Sequence, residues 1–252
     1  MQVMAAVAIG AAGVAAGGIN AVVGSGTLIT FPTLLAFGYP PVLANVSNNV
    51  GLVPGTLSGA YGYRRELRGQ RARVLRFGAA SLIGGLVGAL LLLKLPPGVF
   101  NAVVPVLILL AVALVLLQPR LNRRLAQRQD EGRGDGGWPL WLGVLGTGVY
   151  GGYFGAAQGV LLMGLFGGFL RDDLQRLNAA KNVLSSIVNG VAAVVFIAVS
   201  HVDWVAAGII AAGSTVGGLL GARIGRRLRP SVLRAVIVTV GTVAAAVMLA
   251  RL

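Results

Sequence analysis

Two short stretches carry the chemistry this sequence could do. The first is Gly24-Ser25-Gly26-Thr27, which interrupts an apolar run and is followed by Ser47-Asn48-Asn49. The second is Gly155-Ala156-Ala157-Gln158-Gly159, followed by Lys181-Asn182. A helix that stops and restarts leaves backbone N–H groups unpaired at the restart, here near Thr27 and near Gln158, and the positive end of its dipole lies there. Such ends bind anions, and glycine lets backbone approach a ligand closely. The polar residues that follow add neutral donors and one cation, with no carboxylate. The candidate substrate-binding set is therefore Gly24, Ser25, Gly26, Thr27, Ser47, Asn48, Asn49, Gly155, Gln158, Lys181 and Asn182, and its chemistry is that of an anion site. Asn45 and Asn178 serve equally well as interhelical hydrogen-bond partners. Lys181, one or two turns from a helix end, could also snorkel to water.

The same inventory excludes other chemistries. There is no cysteine and a single histidine, His201, so neither a disulfide nor a metal cluster can be built. A membrane enzyme would need a nucleophile–base pair or a metal at depth, so no enzymatic activity and no cofactor are expected. "GVAAGG" (13–18) lacks the preceding strand of a nucleotide fingerprint and reads as a packing run. Trp138, Trp141 and Trp204 fall where an interfacial aromatic belt would put them. His201 and Asp203 read as structural residues of an external turn.

The elements that must position these residues are membrane helices. Of 252 residues, 56% are hydrophobic and 11% charged, the composition of a polytopic membrane protein. Apolar stretches fall at about 2–23, 27–38, 43–62, 77–95, 99–118, 139–154, 157–170, 177–200, 203–222 and 232–250. A bilayer core of roughly 30 Å needs about 20 helical residues. The stretches 27–38, 139–154 and 157–170 are too short, the pattern of half-helices joined at a break. Pro54 and Pro105 read as kinks. The amino end lacks the basic region of a signal peptide and is kept as part of the fold.

The net charge of +14 is concentrated in short loops, with six arginines in 64–76, five in 119–133 and five in 223–234. Loops of this kind set topology and meet anionic lipid. Nucleic-acid binding would need one continuous basic face with stacking aromatics, and is excluded as a partner class.

The chain also repeats itself. Residues 1–118 and 139–252 form two membrane repeats joined by a basic cytoplasmic linker, 119–138. Each repeat is a broken, re-entrant-like hairpin followed by three transmembrane helices. With residue 45 set against 178, "ANVSNNV" meets "LNAAKNV", matching Asn45 to Asn178, Asn49 to Asn182 and Val50 to Val183. Placing the basic loops in the cytoplasm, the first hairpin enters from outside and the second from the cytoplasm. The fold expected is an all-α polytopic membrane protein of two inverted-topology repeats, with a midplane site at their interface.

The segment "GSGTLITFPTLLAFGYPPVLANVSNNVGLVPGTLSGA" (24–60), with its echo at 148–193, resembles the sulfite exporter TauE/SafE family. The residues that carry the resemblance are Gly24, Gly26, Pro32, Gly38, Pro40, Pro41, Ala44, Ser47 and Gly59. It implies export of sulfite or another small sulfur-containing anion, such as an organosulfonate, across the bacterial cytoplasmic membrane. The chain departs from the pattern at Gly24 to Thr27, at Ala156-Ala157-Gln158 and at Lys181. No carboxylate lies in the middle of a span, so a buried-carboxylate proton relay is absent and charge is expected to move with the substrate. The partners expected are a small anion and the lipid bilayer; nothing in the sequence excludes a homo-oligomer. An anion channel and a non-transporting scaffold or assembly factor are the rival readings.

Overall fold

The computed structural model describes residues 3–127, 136–224 and 230–249, and its regular elements are ten α-helices. They are α1 (Val3–Val22), α2 (Thr27–Ala36), α3 (Pro41–Gly62), α4 (Arg71–Lys94), α5 (Pro97–Gln127), α6 (Gly137–Tyr153), α7 (Gln158–Phe169), α8 (Leu174–Val199), α9 (Trp204–Ile224) and α10 (Pro230–Leu249). α1, α4, α8, α9 and the 98–120 part of α5 are long and apolar enough to cross a membrane. The chain is thus the all-helical polytopic membrane protein that its composition indicates. α2 and α7 have 10 and 12 residues, and at 1.5 Å per residue they reach only about half of a 30 Å hydrocarbon core. α5 continues as helix to Gln127, into the segment read from sequence as a linker. The remainder of that basic segment, 128–135, and residues 225–229 of the third basic segment lie outside the described residues.

Both breaks turn on glycine. Gly24 has φ 86° and Gly155 φ 79°, in the left-handed region that glycine enters without steric cost. Ala157 follows in the second break at φ 58°, where a Cβ is unfavourable by about 1–2 kcal/mol. The apolar side of the second break is pinned by rings. Phe154 meets Phe31 of α2 edge-on at 5.4 Å, and Phe100 of α5 at 6.3 Å.

Glycine also sets how closely the long helices approach. Gly13 backs onto Ile210 and Gly213, Gly17 onto Ser214 and Gly218, and Gly18 onto Gly217 and Gly221, so α1 and α9 run side by side in the same direction. On α9's other flank, Gly51, Gly55 and Gly62 of α3 meet Ile210, Ser214 and Ala222 in the same sense. The "GVAAGG" run is therefore a packing face. In the second half, Gly84 and Gly88 of α4 pack along Leu145 to Tyr153 of α6, again in parallel. Without side chains between them, backbones come close enough for dispersion to hold helices that lipid would otherwise solvate equally well.

The packing pattern exchanges the two halves. α1 lies on α9 while α6 lies on α4; α2 touches α10 while α7 touches α5; α3 and α8 meet each other. Each hairpin therefore docks on the other half's later helices. One face of the bundle gathers the end of α3 and the starts of α4 and α8, where Arg176 donates to the carbonyl of Arg68 at 3.0 Å. The opposite face joins the starts of α3 and α9, where the Asp203 N–H donates to Ser47 Oγ at 2.9 Å.

Candidate anion site

The two breaks touch. The Gly159 N–H donates to the Gly24 carbonyl at 3.1 Å, and a Cβ on Gly159 would lie 2.6 Å from the Gly24 Cα. Beside this contact is a polar cavity of ≈ 20 Å³, room for about one water molecule. Asn20, Gly24 and Thr27 line it from the first break, and Thr56 from α3. Gly155, Gln158 and Gly159 line it from the second break, and Asn182, Ser185 and Asn189 from α8. Two of these groups, Gln158 Nε2 and Ser185 Oγ, are buried with no hydrogen-bond partner. A buried donor left unmet costs about 1–3 kcal/mol, so the cavity is built to receive something polar.

The end of α1 supplies the wall on one side. Its last carbonyls cannot find partners within the helix, and α8 provides them. Asn178 Nδ2 and Asn182 Nδ2 donate to the Ala21 carbonyl at 3.2 and 3.1 Å. Lys181 Nζ donates to the Asn20 carbonyl at 3.1 Å and to that of Ala21 at 3.5 Å. The side chain of Lys181 is wholly buried, and its stem passes behind Gly159. The other half mirrors this with Asn45, whose Nδ2 donates to the Tyr153 carbonyl at the end of α6, 3.1 Å away. Asn45 and Asn178 thus each cap the first helix of the opposite half.

The helix starts are less open than the sequence suggests. The Gly26 N–H is held by Asn20 Oδ1 at 2.7 Å, and that of Gly159 by the Gly24 carbonyl. Part of each dipole end is therefore engaged by the protein itself.

Of the residues singled out from sequence, Gly24, Thr27, Gly155, Gln158 and Asn182 line the cavity. Lys181 stands in the adjoining wall, and Gly26 closes the start of α2. Ser25 is buried, its hydroxyl without a partner. Three residues lie apart from the cavity. Asn48 accepts from Thr30 Oγ1 between α2 and α3. Ser47 ties α3 to the start of α9, and Asn49 is buried with its Oδ1 unpartnered. Asn20, Thr56, Ser185 and Asn189 line the cavity but were not singled out. The repeat register that pairs Asn45 with Asn178 also pairs Thr56 with Asn189, and this signal could have found both.

Polar ties also join the halves at both faces. On the basic face, Asp172 takes Arg73 at 2.7 Å and Arg176 at 2.8 Å, while Gln70 Nε2 donates to the Arg176 carbonyl at 2.9 Å. Burial works to raise the Asp172 carboxyl, but the hydrogen bond from Arg73, the Asp173 N–H and the two guanidinium charges outweigh it and hold it below its ordinary range. On the other face, Tyr39 bonds to Asp203, and its phenol is raised by burial first and then by that carboxylate. Asp203 also caps α9 by accepting from the Ala206 N–H at 2.9 Å, the structural part that the sequence assigns to it.

Membrane-length helices around a buried polar cavity, with one cation in its wall, have the build of a polytopic membrane transporter. The family model described as "Sulfite exporter TauE/SafE" matches residues 9–248, and the chain belongs to that family. It is 28% identical over 236 residues to "Probable membrane transporter protein YfcA" of Escherichia coli (strain K12), covering 93% of this chain and 86% of that one. A "Probable membrane transporter protein" of Haemophilus influenzae is 29% identical over 210 residues, covering 82% of this chain and 79% of its own length. No solved structure matches the chain.

Proposed function

We propose that this transporter is a secondary carrier that moves a small anion, sulfite or an organosulfonate, outward across the bacterial cytoplasmic membrane by alternating access at the cavity between the two breaks. The observation that carries the reading is the buried Lys181 beside neutral donors. An intramembrane charge is costly and marks a substrate or ion pathway, and a donor set without carboxylates suits an anion. The family's description as a sulfite exporter supports the substrate class. The direction of the helices supports inverted repeats. α1, α3 and α9 run together, α4 and α6 run together, and the loop 63–70 returns the chain between the two sets. α1 and α6, the first arms of the two hairpins, thus point in opposite directions, as alternating-access repeats require.

With the arginine-rich face in the cytoplasm, the 63–76 and 171–176 segments form the inner closure and Tyr39 with Asp203 the outer one. The cavity of ≈ 20 Å³ is smaller than the proposed anions, so it must widen to admit one. Substrate enters when one closure parts and the two breaks separate. The test is flux into proteoliposomes of sulfite, sulfate, thiosulfate, methanesulfonate and acetate by wild type and Lys181→Ala. Saturable flux of sulfite or the sulfonate, lost in the variant, is expected. A folded Lys181→Ala protein with wild-type flux would exclude the site, and ion-channel conductance would exclude a carrier.

A further inference from the structure

Lys181 is the one formally charged side chain among the described buried residues. Among the described residues its ammonium bonds to the Asn20 and Ala21 carbonyls. None of the ten helices contains an aspartate or glutamate, and those packed most on α8 are α1, α3, α4, α5, α6 and α7. The ionisable groups they bring are tyrosines, at 61 and 63 on and just beyond α3 and at 150 and 153 on α6, and cations. The cations are Arg176 on α8 itself, Arg71, Arg73, Arg76 and Lys94 at the ends of α4, and arginines towards the end of α5. α1 and α7 bring none. Among the described residues no carboxylate bonds to this amine to offset a full positive charge, and burying an unpaired ion costs several kcal/mol. The negative end of the α1 dipole offsets part of that cost. The rest is recovered only when an anion occupies the neighbouring cavity.

We propose that Lys181 is the proton carrier of this transporter: one proton joins its amine when the anion binds and leaves when the anion leaves. This rests on the anion-carrier reading above. The balance is simple, with amine, proton and anion giving an ammonium–anion pair on the loading side and the three separating on the other. No bond other than N–H forms or breaks, and the proton comes from and returns to water. A lysine fits this work because its ammonium gives up a proton where a guanidinium does not. Lys181 thereby stands in for the membrane carboxylate that the sequence lacks. A divalent anion still carries net negative charge outward, and a monovalent one moves without net charge.

The experiment uses proteoliposomes of the full chain loaded with a pH-sensitive dye. The probe is methanesulfonate, the anion of a strong acid, which cannot bring a proton of its own. Wild type is expected to acidify the lumen as methanesulfonate enters, one proton per anion. Lys181→Arg, whose charge is permanent, should keep methanesulfonate–methanesulfonate exchange while losing net proton-linked uptake. Lys181→Met should lose both, with monodispersity and melting temperature confirming that each variant is folded. The wild-type ratio needs no variant at all. Methanesulfonate entry without acidification overturns the proton role and leaves the anion-carrier reading standing. Proton-linked uptake that survives in Lys181→Met overturns it as well. If sulfite and methanesulfonate both fail to move, the anion-carrier reading falls and the proton role with it.

Discussion

Gln158 separates stability from function more cleanly than Lys181 does. Its Nε2 is buried against the cavity with no partner, so Gln158→Leu removes an unmet donor and the melting temperature is expected to hold or rise by a few degrees. Sulfite flux in proteoliposomes should nonetheless fall by about tenfold, the value of one hydrogen bond to a charged ligand. The two capping asparagines give a second contrast. Among the described residues Asn45 is the one side chain that donates to the Tyr153 carbonyl, whereas the Ala21 carbonyl also takes Lys181 and Asn182 besides Asn178. Asn45→Ala should therefore cost about 1–2 kcal/mol and Asn178→Ala clearly less, as read by thermal unfolding in detergent. The cavity glycines, Thr27, Gln158 and Asn182 were legible because a break and a polar cluster stand out in apolar sequence. Ser47 and Asn48 lie outside the cavity lining, which the sequence could not tell because residue type does not say which way a helix faces. Ser47 faces the start of α9 and Asn48 faces Thr30 of α2.

At the scale of elements, the contact between the two breaks is the one that the proposed cycle must part. A methyl on Gly159 would collide with the Gly24 backbone and press on the Lys181 stem. Gly159→Ala is expected to cost about 1–3 kcal/mol and to hold the breaks apart. Its sulfite flux should fall more than its melting temperature suggests, and cysteines on the two breaks should crosslink less readily than in wild type. The short arms α2 and α7 could be read from length alone, since ten or twelve apolar residues cannot span a bilayer. The partners of those arms could not. α2 lies against α10 and α7 against α5, and helix length carries no information about which distant helix covers a given face. The reach of α5 to Gln127 was missed because Pro119 and the arginines after it resemble a loop.

For the molecule as a whole, the ties at its two faces are what the proposed cycle must break to open. Asp172 is held below the ordinary carboxylate range, so its tie to Arg73 and Arg176 is fully present above about pH 4 and is lost as pH falls through the lowered value. At neutral pH, Asp172→Asn should lower stability by about 1 kcal/mol, since both partners keep some solvent. The gap to wild type should close as the pH of the melt is taken below about 4. Another consequence lies in time. α1 is complete once residue 22 has been made, yet the glycine face it packs on belongs to α9, which ends at residue 224. At about 5–20 residues per second, ribosomal synthesis of the intervening chain takes roughly 10–40 s. Throughout that interval the first hairpin stands in the membrane with its glycine stripe open to lipid or to the insertion machinery, and it is then that a nascent chain can be captured or degraded.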